Sequence, residues 1–172
     1  MKKIILSAIA VMAFGFANAQ GTKFGVKAGV NLTNFTGDAD TDAKTSFYVG
    51  GLADFSISEK FHIQPELLYS VEGADDDLSI SYLRVPVMAK YYVVQGLSLQ
   101  AGPQLAVKVG ADDEVDEVTK SIDFALGFGA GYELTNGLFF DARYNLGLAN
   151  ISDADGFDLG NTGLQVGLGY RF

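Results

Sequence analysis

The chain has no cysteine and no tryptophan, one histidine and three prolines among 172 residues. Without cysteine there is no disulfide, no thiolate metal site, no cysteine nucleophile and no lipidated N-terminal cysteine. A single imidazole excludes any site that needs two. Positive charge is also scarce. Twelve Lys and Arg stand against 21 Asp and Glu, a formal net charge of −9. A nucleic-acid partner would require a basic face to neutralise phosphates, so none is expected. The length suits one domain, and 48% hydrophobic residues is too many for a disordered chain. What the chain has in quantity is glycine, 21 residues, and its placement matters below.

Apolar runs long enough for a membrane helix are missing as well. Met1, Lys2 and Lys3 form a short basic start, followed by an uncharged, mostly apolar run from Ile4 to Ala17. A spanning helix needs ~20 residues to cross ~30 Å of hydrocarbon, so this run is too short. It ends in Ala17-Asn18-Ala19, small residues at the two positions a signal peptidase reads. The pattern predicts a signal peptide over residues 1–19, cleaved before Gln20, with one domain over 20–172.

From Lys23 onward the hydrophobic period is two. Phe61, Ile63, Pro65, Leu67, Tyr69 and Val71 share one face, and His62, Gln64, Glu66, Leu68, Ser70 and Glu72 the other. The stretches 123–134 and 162–172 repeat the pattern. Alternation predicts eight strands, roughly 23–33, 46–56, 60–72, 79–93, 97–109, 122–134, 138–150 and 162–172. Most are longer than the ~5–6 residues of globular strands and match the ~9–11 of a tilted spanning strand.

The connections alternate too. Ile57-Ser58-Glu59, Val94-Gln95-Gly96 and Thr135-Asn136-Gly137 are short. The other four are longer and acidic. They carry Asp38, Asp40 and Asp42; Asp75, Asp76 and Asp77; Asp112, Asp113, Glu114, Asp116 and Glu117; and Asp153, Asp155 and Asp158. Short turns at one end and long loops at the other mark an all-β fold: an eight-stranded antiparallel up-and-down transmembrane β-barrel of the outer membrane.

Glycines decide which face is inside. Gly25, Gly29, Gly50, Gly127, Gly129, Gly131, Gly147, Gly167 and Gly169 all lie on the polar face. Glycine weakens a strand, so a solvated exterior would favour other residues there, whereas a narrow lumen needs small ones beside its large ones. Aromatics near strand ends on the apolar face resemble two interfacial girdles: Phe24, Phe47, Phe55, Phe61, Tyr91, Tyr132, Phe140, Tyr170 and Phe172. The soluble lipocalin-like barrel is the reading these features disfavour.

The lumen then holds Lys27, Asp54, His62, Gln64, Glu66, Arg84, Lys90, Gln100, Gln104, Lys108, Asp123, Glu133, Asp141, Arg143, Asn145 and Arg171. Buried charges must pair. A polar network of Glu66, Arg84, Lys90, Asp141, Arg143 and Arg171 is expected. One register sets Glu66 beside Arg84; another sets Asp141 beside Arg171. A gated pore or proton path is one reading. A plug of ion pairs is favoured, because an eight-stranded lumen is just wide enough for side chains.

Several segments resemble a known family. YLRVPVMAKYY (Tyr82 to Tyr92), QPELLYS (Gln64 to Ser70), GPQL (Gly102 to Leu105), FALGFGAGYEL (Phe124 to Leu134), ARYNLGL (Ala142 to Leu148) and VGLGYRF (Val166 to Phe172) are similar, in order and spacing, to the PorT-like outer membrane beta-barrel domain common in Bacteroidetes. The resemblance implies outer-membrane location and barrel fold. It also implies that Pro65, Pro86 and Pro103 are tolerated mid-strand at local bulges. A role in protein secretion does not follow, since the domain is found in many proteins of unassigned function.

Catalytic chemistry has little to stand on. His62 is the one imidazole base, and Ser70 lies eight residues along its strand with no serine fixed beside it. Asp38-x-Asp40-x-Asp42 and Asp153-x-Asp155-Gly156-x-Asp158 have the oxygen density that Ca²⁺ favours, but neither has the terminal bidentate glutamate of an EF-hand loop. No catalytic, cofactor or metal site is expected. The expected partners are outer-membrane lipid, lipopolysaccharide and envelope proteins. The expected role is structural or surface-interacting. A subunit of a secretion or assembly complex is the alternative, followed by a small pore or a lipid-modifying enzyme.

Overall fold

The computed structural model describes residues 21–37, 43–74, 78–111, 122–148 and 159–172. The predicted signal peptide and the acid-rich stretches of the four long loops lie outside these residues. Eight strands follow in chain order: β1 (Thr22–Gly37), β2 (Lys44–Ser56), β3 (Phe61–Ala74), β4 (Leu78–Val94), β5 (Leu97–Ala111), β6 (Ile122–Glu133), β7 (Leu138–Gly147) and β8 (Leu159–Arg171). Each pairs antiparallel with its sequence neighbour, and β1 pairs with β8 to close the barrel.

Register fixes the barrel's shape. Stepping between paired residues from Thr22 passes through Phe55, Ile63, Ala89, Ala101, Phe128, Tyr144 and Leu164, and returns to β1 at Leu32, ten residues further on. With a rise of ~3.3 Å per residue and ~4.8 Å between strands, that stagger over eight strands tilts them by about 40° and gives a backbone radius of about 8 Å.

Alternation holds along most of the described strands; on β2, Leu52, Ala53 and Asp54 are all buried. Val26, Val30, Phe47, Val49, Leu99, Phe128, Leu168 and Tyr170 face outward and are about half exposed or more. Lys27, Asn31, Gln64, Glu66, Arg84, Lys90, Gln104, Asp123, Arg143 and Gln165 face inward and are buried. This is the reverse of a soluble protein, with polar residues in the core and apolar ones outside. A belt of aromatics rims the short-turn end, including Phe61, Tyr91, Tyr132, Phe140, Tyr170 and Phe172; Phe47, Tyr69, Phe124 and Tyr144 lie toward the other end.

Two details of the short-turn end matter below. Gly96 and Gly137 have φ of 84° and 90°, a left-handed conformation that glycine adopts without strain. They close the β4–β5 and β6–β7 turns. Those turns are locked by backbone bonds: Glu133 N donates to Gly96 O at 2.8 Å, and Leu134 N to Leu138 O at 2.7 Å.

The prolines do not sit at bulges, contrary to expectation. The two register shifts lie between Ser81 and Tyr82 and between Tyr92 and Val94. At the prolines the ladder pauses and resumes in step: Leu52↔Glu66 and Phe55↔Ile63 flank Pro65, Pro65↔Val87 and Leu68↔Arg84 flank Pro86, and Pro86↔Gln104 and Ala89↔Ala101 flank Pro103. A missing N–H removes a ladder bond; it does not require an extra residue.

Candidate functional site: a charged lumen

The inward side chains form three stacked clusters. In the middle cluster, Arg143 on β7 meets Glu66 on β3 through two bonds, Nη1 to Oε2 at 2.7 Å and Nη2 to Oε1 at 2.5 Å. These strands are four apart in either direction around the barrel, so the pair crosses the lumen. Lys27 Nζ donates to Asp141 at 2.5 Å and lies 3.8 Å from Glu66, while Arg143 is 3.1 Å from Asp141. Two cations and two anions balance. Fork-to-fork geometry makes the arginine pair the strongest kind of ionic hydrogen bond.

The upper cluster, toward the long loops, centres on Arg84. Its guanidinium forms a fork with Glu72 and reaches Asp123 at 3.0 Å. Ser70 donates to Glu72 at 2.8 Å, Asn31 to Ser70 at 3.0 Å, and Gln165 to Asn31 at 3.0 Å. Tyr82 lies against Arg84, 5.3 Å from guanidinium to ring centre.

The lower cluster lies toward the short-turn end. Arg171 pairs with Glu133 and lies 3.5 Å from Asp54. Lys90 is also 3.5 Å from Asp54. The Tyr92 hydroxyl accepts from Lys90 at 3.2 Å and Arg171 at 3.1 Å, and donates to Glu133 at 2.8 Å. Gln64 joins the lower and middle clusters. Its amide nitrogen donates to Glu66 at 2.5 Å, and its oxygen accepts from Lys90 at 3.2 Å and Arg171 at 2.7 Å.

Both sequence-derived pairings are corrected by the register. Arg84 stands opposite Leu68, two residues from Glu66, and takes Glu72 and Asp123 instead. Asp141 stands opposite Gly167, four residues from Arg171, and takes Lys27 and Arg143. A shift of two or four residues leaves every side chain on the same face, so alternation alone does not detect it. Of the six residues in the expected network, Glu66, Asp141 and Arg143 meet in the middle cluster, Lys90 and Arg171 in the lower, and Arg84 in the upper.

Sequence reading passed over Tyr48, Glu72, Tyr82 and Tyr92 as lumen residues. Each has inward parity, which was the available signal. Tyr48 fills the bore from β2, its hydroxyl 3.5 Å from Asp141. Glycines make room for such side chains. A Cβ on Gly167 would overlap the Tyr48 hydroxyl, one on Gly169 the Phe139 ring, and one on Gly127 the Gln104 amide.

His62 is not set up as a catalytic base. Its Nδ1 lies 2.5 Å from Asp54 Oδ1 and 3.4 Å from Ser56 Oγ, so carboxylate and hydroxyl crowd the same nitrogen. A nucleophile relay needs them on opposite nitrogens. Ser70 bonds Asn31 and Glu72 in the upper cluster, away from His62. Among the described residues no group of three His, Asp or Glu is placed to hold a metal.

A cleft of about 560 Å³ opens at the short-turn end, bounded by the three tight turns, with His62, Tyr92 and Glu133 among its lining residues.

No curated protein matches the sequence. Similar solved structures include Neisserial surface protein A, NspA (14% identity, TM-score 0.59, 89% of this chain and all of that one). Ail, the attachment invasion locus protein of Yersinia pestis, aligns with 14% identity and TM-score 0.56, again over 89% of this chain and all of that one. A de novo designed transmembrane β-barrel aligns at 15% identity and TM-score 0.52, over 89% and 98%. At such identities the likeness shows the shared fold. The model of the outer membrane protein beta-barrel domain matches residues 16–153. With that match, a closed eight-stranded barrel and an apolar exterior around a charged core, the chain belongs to the outer membrane protein beta-barrel domain family and is an outer-membrane protein.

Proposed function

We propose that this protein is a plugged, non-enzymatic barrel with a structural or surface-interacting role, its apolar belt in contact with outer-membrane lipid and lipopolysaccharide. The Arg143–Glu66 fork carries the reading, because it bars the lumen at mid-height. The clusters above and below it add further barriers. The single histidine, with Asp54 and Ser56 on one nitrogen, supports a role without catalysis.

Interaction with the exterior would then fall to the long loops, whose sequences are dense in aspartate and glutamate. One structure of Ail holds the heparin analogue sucrose octasulfate. Polyanions of that kind are poor candidates for this chain, because its loop carboxylates would repel them. Cationic or neutral envelope components fit better. The PorT-like motifs make a secretion or assembly subunit the second reading.

Planar-bilayer recording of the purified protein tests the plug. The expected result is no stable conductance from the wild type. A steady open conductance would overturn it. In-cell crosslinking with mass spectrometry separates the two roles: stoichiometric attachment to other envelope proteins would favour the assembly subunit.

A further inference from the structure

Seven buried side-chain atoms have no hydrogen-bond partner among the described residues. Buried polar groups are normally paired, so each of these atoms calls for an explanation. Five of the seven fall into two groups, and each group mixes donors with acceptors. The five side chains that carry them are at most 1% exposed.

The first group lies in the upper cluster. Arg84 uses Nε and Nη2 on Glu72, and Nη2 also donates to Asp123 Oδ2 at 3.0 Å. Its Nη1 and the other Asp123 oxygen, Oδ1, are unpartnered. Covalent geometry keeps both beside the bonded pair. Tyr82, whose ring centre is 5.3 Å from the same guanidinium, has an unpartnered hydroxyl. Ala106 on β5 is the ladder partner of both Arg84 and Asp123, and it offers only a methyl at this level.

The second group lies where the upper cluster meets the middle one. Gln165 on β8 is the ladder partner of Arg143 on β7. Its amide nitrogen donates to Asn31 in the upper cluster at 3.0 Å, and both Arg143 Nη atoms donate to Glu66 in the middle one. Gln165 Oε1 and Arg143 Nε remain, one acceptor and one donor. Gly129, opposite Arg143 on β6, has no side chain to reach either. Gln100 Nε2 and Arg171 Nε, the last two unpartnered atoms, are donors only.

The mixture selects the ligand. A guanidinium only donates and a carboxylate only accepts, while a phenol does both. A metal cation would satisfy Asp123 and leave Arg84 Nη1 unpaired; an anion would do the reverse. Water donates twice and accepts twice, and buried water typically makes about three hydrogen bonds. We infer that the plug binds two water molecules as fixed parts of its structure. One donates to Asp123 Oδ1, accepts from Arg84 Nη1 and meets the Tyr82 hydroxyl. The other accepts from Arg143 Nε and donates to Gln165 Oε1. This second water joins the middle cluster to the upper one, as Gln64 joins the lower to the middle. The three clusters then form one hydrogen-bonded column. Water held in this way fills the bore and does not open it, so bound water and conductance are read separately.

Two measurements on the full mature barrel test the assignment. A crystal structure at about 1.8 Å or better should show a solvent peak ~2.6–3.2 Å from both Arg84 Nη1 and Asp123 Oδ1, and another from both Arg143 Nε and Gln165 Oε1. In nanodiscs, water-selective cross-relaxation NMR of the arginine Nε–H groups should give a cross-peak from long-lived water at Arg143. Arg84 Nε–H faces Glu72 and should give none. Gln165→Met keeps the volume, removes the acceptor and should abolish the Arg143 cross-peak; its folding is checked by heat-dependent gel migration. Side chains that bond directly across either site, an ion in either site, no cross-peak at Arg143, equal cross-peaks at Arg143 and Arg84, or an unchanged cross-peak in folded Gln165→Met would each overturn it. A steady conductance with both waters in place would instead sink the plug alone.

Discussion

Arg143 and Glu66 stand on opposite walls of the barrel and meet at its centre through two parallel hydrogen bonds. Neither residue is paired in this way with a residue on a neighbouring strand. Their union ties β3 to β7, which share no ladder. It replaces part of the apolar core that a soluble barrel would have. Such a pair gives little net stability over a well-packed apolar core, but losing one partner is costly because the other stays buried and unpaired.

Glu66→Gln should therefore destabilise the barrel by about 3–5 kcal/mol, since Arg143 and Lys27 both lose their shared carboxylate. The double variant Glu66→Leu/Arg143→Met should recover most of that loss. Urea unfolding in detergent micelles, followed by tyrosine fluorescence, compares the three proteins. Equal stability of Glu66→Gln and wild type would show that the fork contributes nothing.

Glycines of the inner wall make two distinguishable predictions. A Cβ at Gly127 would meet the ends of the Gln104 and Asn145 side chains, whereas one at Gly129 would meet the Ala142 carbonyl and the Arg143 Cα. Gly127→Ala should cost about 1–3 kcal/mol, and adding Gln104→Ala should relieve much of it. Gly129→Ala should not be rescued by trimming a side chain. The same unfolding assay reads both.

The loop sequences are acidic but lack the glutamate that completes a twelve-residue calcium loop. Calcium titrated into the folded protein at physiological ionic strength should give no saturable heat. A stoichiometric isotherm would reverse this expectation and point to the aspartates at 38–42 or 153–158.

The basic start, short apolar run and Ala17-Asn18-Ala19 predict export with cleavage before Gln20. Intact-mass analysis of protein from outer membranes should give a chain beginning at Gln20. A mass that retains residues 1–19 would show that the segment stays attached.

The strands were legible because burial in a barrel has the same period as the backbone pleat. Phe61 through Glu72 alternates in sequence as it does in space, and the expected β3 and β6 fall within two residues of their observed ends. Mid-strand prolines invited a bulge, but Pro65, Pro86 and Pro103 keep register, since a lost donor interrupts a ladder without lengthening a strand. Inward parity also marked Tyr48 and Tyr92. Charge alone does not mark them, because an aromatic side chain suits the lumen and the lipid face alike.

Sequence by itself determined the eight strands, their order, which face meets the surroundings and which residues point inward. All of these depend on a two-residue period that each strand carries locally. Only the tertiary structure decided the partners. Glu66 meets Arg143 and not Arg84, and Asp141 meets Lys27 and not Arg171. A register slip of two or four residues preserves every local pattern, so the sequence pattern does not distinguish such registers. In a bore of about 8 Å radius, long side chains also reach the axis, where residues from distant strands become closer partners than residues on adjacent ones.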